Sequence, residues 1–305
     1  MRLSRRAVIR RGMTAGIALA MPYRLGAQTG ALIKKAIPST GELLTPIGIG
    51  TNRYSVGPSE AARAPLRTAL ARFHALGGQV IDTAEEYGNA EGVIGDLTAE
   101  LGIGEELFIA SKVRMFGRAA GERSIEQSFA RLRRDPIDLM QVHDLTDYAA
   151  HIDTLRALKG SGRLRYIGIT TSRSGQHAQL QRLMTTEDLD FVQLSYSLED
   201  RAAANRLLPL AADRGIAVLV NLPFGQGRLF RTVSGQPLPD WAGEFDCASW
   251  GQFLLKYIIA HPAVTCAIPG TRQEQHVVDN LGAARGRLPG AELRTRQEAL
   301  FDSLA

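Results

Sequence analysis

The 305-residue chain has little cysteine, only Cys247 and Cys266. Two thiols cannot make a disulfide scaffold. Cys266 falls in an apolar run at 263–268 and reads as a small core residue, while Cys247 opens an expected helix. An oxidising compartment would permit a bridge between them. No CxxC or HExxH pattern occurs, so nothing in the sequence supports a metal site. No GxGxxG follows an early strand, and the usual dinucleotide fingerprint is therefore missing. Residues 1–27 contain no acid but six arginines, Arg2, Arg5, Arg6, Arg10, Arg11 and Arg24. Taking these six from the 36 lysines and arginines leaves one fewer base than the 31 acids, so the net charge of +5 belongs to the tail. The rest of the chain has no overall pull on phosphate backbones, which argues against a nucleic-acid partner.

The tail has the layout of an export signal. Arg5 and Arg6 precede Ala7, Val8 and Ile9, and an uncharged stretch at 12–21 is too short to span a bilayer. The paired arginines resemble the twin-arginine class. Cleavage is expected after Ala27 or Ala20. This predicts a periplasmic or exported protein that meets the membrane only during transit and crosses it already folded, with any cofactor aboard.

Beyond residue 30, short apolar runs alternate with longer amphipathic ones. Strands are expected at 47–50, 79–82, 107–112, 138–143, 166–170, 191–194, 217–221 and 264–268. Helices are expected near 60–76, 89–101, 122–134, 147–160, 174–184, 200–214, 247–260 and 273–284. Strict βα alternation predicts a parallel sheet. Eight units in so short a span predict closure into one (β/α)8 TIM barrel at 37–285, with a C-terminal helix or tail at 286–305. Residues 37–45 suggest a hairpin under the barrel floor. The Gly- and Pro-rich stretch 224–243 suggests a long functional loop.

Four polar residues stand at or just beyond expected strand ends: Asp82, Tyr87, Lys112 and His143. In a parallel barrel those ends open on one face. A phenol is a poor acid at neutral pH unless its anion is stabilised, and a nearby ammonium does that. A buried Lys112 needs a counter-charge, which Asp82 supplies. Tyr87 is thus expected to deliver a proton while Lys112 and Asp82 tune it. His143 is expected to hydrogen-bond a carbonyl oxygen and position it. A proton donor facing a carbonyl also needs a hydride source, which no side chain provides and a nicotinamide does. The run from Ile268 to Arg272, entering a helix after the last strand, is where barrels often hold phosphate.

Together these segments resemble the aldo-keto reductase family. The matching runs are Asp82-Thr83-Ala84 with Tyr87-Gly88-Asn89 and Glu91, and Ala110-Ser111-Lys112-Val113. To these are added Gly168-Ile169-Thr170-Thr171, Gln193-Leu194-Ser195-Tyr196-Ser197, and Ile268-Pro269-Gly270 with Asn280. The resemblance covers nearly all of 37–285. It implies NADP(H)-dependent reduction of an aldehyde or ketone, or the reverse oxidation of an alcohol, through an Asp82-Tyr87-Lys112-His143 tetrad. It implies that Thr170, Thr171 and Gln193 hold the nicotinamide carboxamide, where the family usually has Ser-Asn for Thr170-Thr171. Asn221 stands where many members stack an aromatic ring. Pro223, Phe224, Gly225, Gln226 and Gly227 match a phosphate-side loop. Gly270 and His276 replace the lysine and arginine that many members aim at a 2′-phosphate. Thr271 and Arg272 lie beside them, and NAD(H) stays open as the other cofactor.

Other functions fit parts of this pattern. A nicotinamide-nucleotide-binding sensor or regulatory barrel with little turnover is favoured by Asn221 and opposed by the intact tetrad. An aldolase-type lysine imine at Lys112 is opposed by Asp82, which keeps the amine charged. Taken singly, each tetrad residue also has a structural explanation: a helix cap, a loop aromatic, a snorkelling lysine, a satisfied histidine. Trp241 and Trp250 are candidates for a pocket wall or for packing. Substrate identity and oligomeric state are not written in the sequence.

Overall fold

The protein is described by a computed structural model that covers residues 30–304. The export segment expected at 1–27 lies outside the described residues. A short antiparallel hairpin, β1 (Lys35–Ala36) and β2 (Leu43–Leu44), comes first. Eight parallel strands follow: β3 (Ile49–Gly50), β4 (Val80–Asp82), β5 (Phe108–Val113), β6 (Ile137–His143), β7 (Leu164–Thr170), β8 (Phe191–Ser195), β9 (Ala217–Asn221) and β10 (Cys266–Ala267). Helices α1 (Glu60–Ala75), α2 (Ala90–Leu101), α3 (Arg118–Leu132), α4 (Tyr148–Gly160), α5 (His177–Thr186), α6 (Ala202–Arg214), α8 (Trp250–Ile259) and α9 (Glu274–Gly282) alternate with them as the patterning predicts. The stretch after β9 carries its own short helix, α7 (Arg228–Thr232), and α10 (Ala291–Leu304) closes the chain. Among the described residues no helix is long and apolar enough to cross a membrane.

The strands pair in sequence order from β3 to β10. The ring closes where β3 meets β10, on a thin seam. There Gly48 N donates to Ala267 O at 2.8 Å, Gly50 N to Pro269 O at 3.0 Å and Ala267 N to Pro46 O at 2.9 Å. Gly50 has no room for a side chain, since an added Cβ would lie 2.9 Å from the Ile268 carbonyl. The result is a (β/α)8 barrel in a single domain.

Alternation along each strand sends every second residue inward. The inner layers hold Val80, Phe108, Ala110, Leu139, Tyr166, Phe191, Ala217 and Leu219, plugged from below by Ile37 and Leu44 of the hairpin. Phe108, Tyr166 and Phe191 pack ring against ring at 5.4–5.9 Å. The opposite strand faces meet the helices in a second, larger apolar shell. Apolar side chains thus fill the floor and waist, and polar inward positions collect at the carboxyl ends.

Two local expectations change, and one open point is answered. Both cysteines are buried and free, so no bridge joins them. Cys247 precedes its helix rather than opening it, because Ser249 is the cap and its hydroxyl accepts from Gln252 N at 3.0 Å. Helix α3 begins at Arg118, four residues earlier than the apolar pattern suggests, since its first turn, Arg118 to Gly121, has no large apolar side chain to carry a periodic signal.

Candidate active site

The four residues singled out by the sequence converge at the open end. Asp82 ends β4, Lys112 lies in β5 and His143 ends β6, while Tyr87 sits one turn beyond β4, its N–H donating to Ala84 O at 3.1 Å. Lys112 is 1% exposed, and its Nζ lies 2.6 Å from Asp82 Oδ2 and 2.7 Å from Thr83 O. The other Asp82 oxygen accepts from Gln193 Nε2 at 2.7 Å, and Gln193 Oε1 accepts from Thr170 Oγ1 at 2.8 Å. The pairing of Thr170 with Gln193 across β7 and β8 sets that last contact. Lys112 Nζ stands 5.2 Å from the Tyr87 ring centre, and the His143 ring meets Tyr87 edge-on at 6.1 Å.

The electrostatics differ from the sequence expectation at one point. Lys112 acts most strongly on the Tyr87 phenol and pulls its pKa down. Burial and the charges of Asp82 and Glu86 outweigh it, and the net shift is upward. Burial is the first of the raising causes, and the Asp82 carboxylate, paired with Lys112, comes next. Tyr87 is therefore a protonated donor at neutral pH rather than an acidified phenol. Burial depresses the Lys112 pKa, but Asp82 and Tyr87 more than reverse this, so the ammonium keeps its charge. Burial, then Lys112, Arg114 and Arg173, push His143 down to about 3, and it is neutral.

These groups floor a cavity of about 1330 Å³ that opens at the barrel mouth. Asp82, Tyr87, His143, Thr170, Gln193 and Asn221 line its inner end. Pro223, Phe224 and Gly227 form one side, and Gly270, Thr271, Arg272, His276 and Asn280 form the outer end. Asn280 Nδ2 donates to Thr271 Oγ1 at 2.8 Å, which ties α9 to the loop after β10. Lys112 is sealed behind the wall.

Two residues expected at the cofactor site are not on the cavity wall. Thr171 alternates outward, and its hydroxyl bonds Gln176 and accepts from Arg173 N at 3.0 Å. Gly225 is buried behind the loop. Its φ is +54°, and an added Cβ would meet Glu199 and Leu229 at 2.6 Å each, so it shapes the loop without forming the wall. Asn221 is bonded rather than free: its Oδ1 accepts from Ser195 Oγ at 2.8 Å. Trp250 lines the cavity, with its indole N–H held by Gln236 O at 2.9 Å, whereas Trp241 packs on Phe253.

The wall also holds residues the sequence reading passed over, among them Asn52, Arg53, Ser172, Phe230, Gln273 and Asp279. Asn52 and Arg53 follow β3, and the rule that post-strand loops share one face would have found them. Arg53 and Arg272 face the cavity and form no ion pair among the described residues. A second hollow of about 500 Å³ lies at the other end of the barrel, beside Lys35, Pro38 and Val264. Burial lowers Lys35 to about 8, but its ammonium is already given to the carbonyls of His261 and Val264, at 3.0 and 2.7 Å. Among the described residues no cluster of side chains suits a metal ion.

Known proteins are similar to this chain. The model of the aldo/keto reductase family matches residues 46–300. The chain is 28% identical over 274 residues to methylglyoxal reductase YeaE of Escherichia coli, covering 87% of this chain and 95% of that one. It is 28% identical over 241 residues to an NADH-specific methylglyoxal reductase of the same organism, covering 68% and 73%. A Klebsiella pneumoniae aldo-keto reductase solved in complex with NADPH superposes with a TM-score of 0.73 at 26% identity, covering 89% of this chain and 96% of that chain.

Proposed function

Since the chain belongs to the aldo/keto reductase family, we propose that it interconverts a small aldehyde or ketone and its alcohol, using a nicotinamide nucleotide. One observation carries the reading. A protonated phenol, a charged lysine paired with a carboxylate, and a neutral imidazole meet at the inner end of a single cavity.

The cavity fits a dinucleotide. Its volume of about 1330 Å³ exceeds the roughly 300–1,000 Å³ usual for small-ligand pockets. Two arginines, Arg53 and Arg272, line it with no ion pair among the described residues. Thr170, Gln193 and Asn221 would hold the nicotinamide end. Pro223, Phe224 and Gly227 would flank the middle, and Thr271, Arg272, His276 and Asn280 would take the adenosine end. A bound nicotinamide supplies or accepts the hydride. In reduction, Tyr87 gives its proton to the carbonyl oxygen. Lys112 stabilises the phenolate that remains, and Asp82, fixed by Gln193, holds Lys112 in place. His143 orients the substrate from the other side.

NADP(H) is the proposed cofactor, because Arg272 offers at the outer end a cation with no ion pair among the described residues. NAD(H) is the alternative, since Gly270 offers none and one relative is named NADH-specific. Methylglyoxal, the substrate in two relatives' names, is the first probe. Tyr87→Phe should lower turnover by at least about 100-fold while NADPH binding, followed by fluorescence, stays within twofold. A variant that keeps most of its rate would remove Tyr87 from the mechanism. If wild type binds nucleotide yet turns over no aldehyde, the chain is a sensor, a reading favoured by Asn221 in place of a stacking ring. We further propose export through the Arg5-Arg6 tail. Replacing both by lysine should keep a fused reporter inside the cytoplasm, and unchanged export would refute this.

A further inference from the structure

The hollow at the amino-terminal end of the barrel has one charged side chain in an apolar wall. Lys35 of β1 lines it together with Pro38, Ala212, Ile216, Ile259 and Leu288. Its volume of about 500 Å³ falls in the range of roughly 300–1,000 Å³ usual for small-ligand pockets. Lys35 Nζ gives two N–H groups to the carbonyls of His261 and Val264, at 3.0 and 2.7 Å. An ammonium has three, so one is left with no protein partner among the described residues.

This cation also lacks a counter-charge. The chain has five lysines, and two of them, Lys112 and Lys159, are paired with Asp82 and Asp190. Lys34 bonds Thr45 and Gln79. Lys256 gives itself to the carbonyls of Arg285 and Arg287, but it feels the charge of Asp246 and borders neither hollow. Lys35 meets no carboxylate among the described residues, and residues 1–27 hold no acid either. Burial lowers its pKa, the Cys266 thiol raises it, and Arg294 of α10 lowers it again. A desolvated cation calls for a partner of opposite sign, and the apolar wall beside it favours a hydrocarbon chain. We propose that this hollow is a second ligand site, suited to an aliphatic monocarboxylate whose carboxylate takes the remaining N–H of Lys35 while its chain lies along Pro38, Ile216, Ile259 and Leu288. One charged side chain among apolar walls matches one negative charge, which sets dicarboxylates and phosphate aside. The hollow shares no residue with the large cavity at the mouth, so binding there is independent of any turnover.

So few lysines make the site readable by NMR in the full-length protein. Carbon-13 at the lysine ε positions gives one signal per lysine, and Lys35→Arg assigns the one that matters. Octanoate is the probe, octanamide is its uncharged match, and Lys112 is the internal marker for the large cavity. At pH 7 octanoate should shift the Lys35 signal to saturation and leave Lys112 in place. Octanamide should bind at least about tenfold more weakly. Affinities in the Lys35 variants are read by calorimetry. Lys35→Arg should bind octanoate within about threefold of wild type, and Lys35→Met should lose about tenfold or more. Ala212→Phe fills the hollow from the exposed last turn of α6, leaves the amine alone, and should abolish the shift. The groups facing Lys35 are Arg294, His261 and Cys266. They keep one protonation state between pH 7 and 9, since burial, Arg294 and Lys35 hold His261 at about 4 and burial pushes the Cys266 thiol up. Octanoate affinity should therefore fall above about pH 8, in step with the Lys35 titration seen in the same spectra. A Lys35 signal unmoved by octanoate, equal affinity for the amide, or a shift that survives Ala212→Phe overturns the proposal. A shift at Lys112 alone puts the probe in the large cavity and overturns it as well.

Discussion

Removing the lysine from the buried pair gives a sharp test of the site's energetics. In Lys112→Met the new side chain fills a similar volume without a charge. Asp82 then keeps Gln193 Nε2 at 2.7 Å but loses the ammonium at 2.6 Å, and the Thr83 carbonyl loses its donor at 2.7 Å. With both side chains under 5% exposed, little water reaches the stranded carboxylate. A buried charge left without its partner costs about 3–5 kcal/mol, and an orphaned carbonyl adds about 1 kcal/mol. At about 2 °C per kcal/mol for a chain of this size, Tm should fall by roughly 8–12 °C. A double variant separates charge from packing. Asp82→Asn/Lys112→Met removes the charge and should recover about half the loss. Urea unfolding measures both. A single variant within about 1 kcal/mol of wild type, or a double no more stable than the single, would refute the argument.

Two further outcomes follow from buried groups. His143 has a folded pKa of about 3 against an ordinary value of about 6.5. Above that value it is neutral in both states, and below it only the unfolded chain takes the proton, so stability falls with pH. Between pH 6.5 and 4.5 wild type should lose about 2 kcal/mol more than His143→Gln, measured by urea unfolding, and parallel curves would contradict the shift. Gln141 is fully buried inside the barrel, beside Lys112 in register, with both amide atoms unpartnered. Gln141→Met should raise stability by about 1 kcal/mol, and a loss instead would mean that the amide is bonded in solution.

Most of the architecture was legible because it rests on local periodicity. Eight short apolar runs separated by amphipathic stretches leave a closed parallel barrel as the simplest solution, and Asp82, Lys112 and His143 stand out as the polar ends of three of them, with Tyr87 one turn beyond the first. The electrostatic state of Tyr87 was not legible. Its sign depends on how deeply the phenol is buried and on how far Asp82 offsets Lys112, neither of which any spacing encodes. Thr171 was misplaced for a simpler reason. It neighbours Thr170 in sequence, yet adjacent strand residues face opposite ways, and only Thr170 looks inward. Arg53 carries no motif of its own, and only its place just after β3 marks it. Glu86 was invisible as a charge beside Tyr87, since its partners Arg114 and His143 come from the ends of two later strands.

The thin closure between β3 and β10 has a consequence for how the barrel is held together. Only a few backbone bonds join those strands, with glycine on both sides at the rim. Residues 50–53 form one bank of the large cavity and 268–273 the other. Any molecule seated there bridges the barrel's weakest joint and works as a clasp. Amide exchange along that joint should slow on loading, in step with saturation, while the well-paired wall from β5 to β7 exchanges at an unchanged rate.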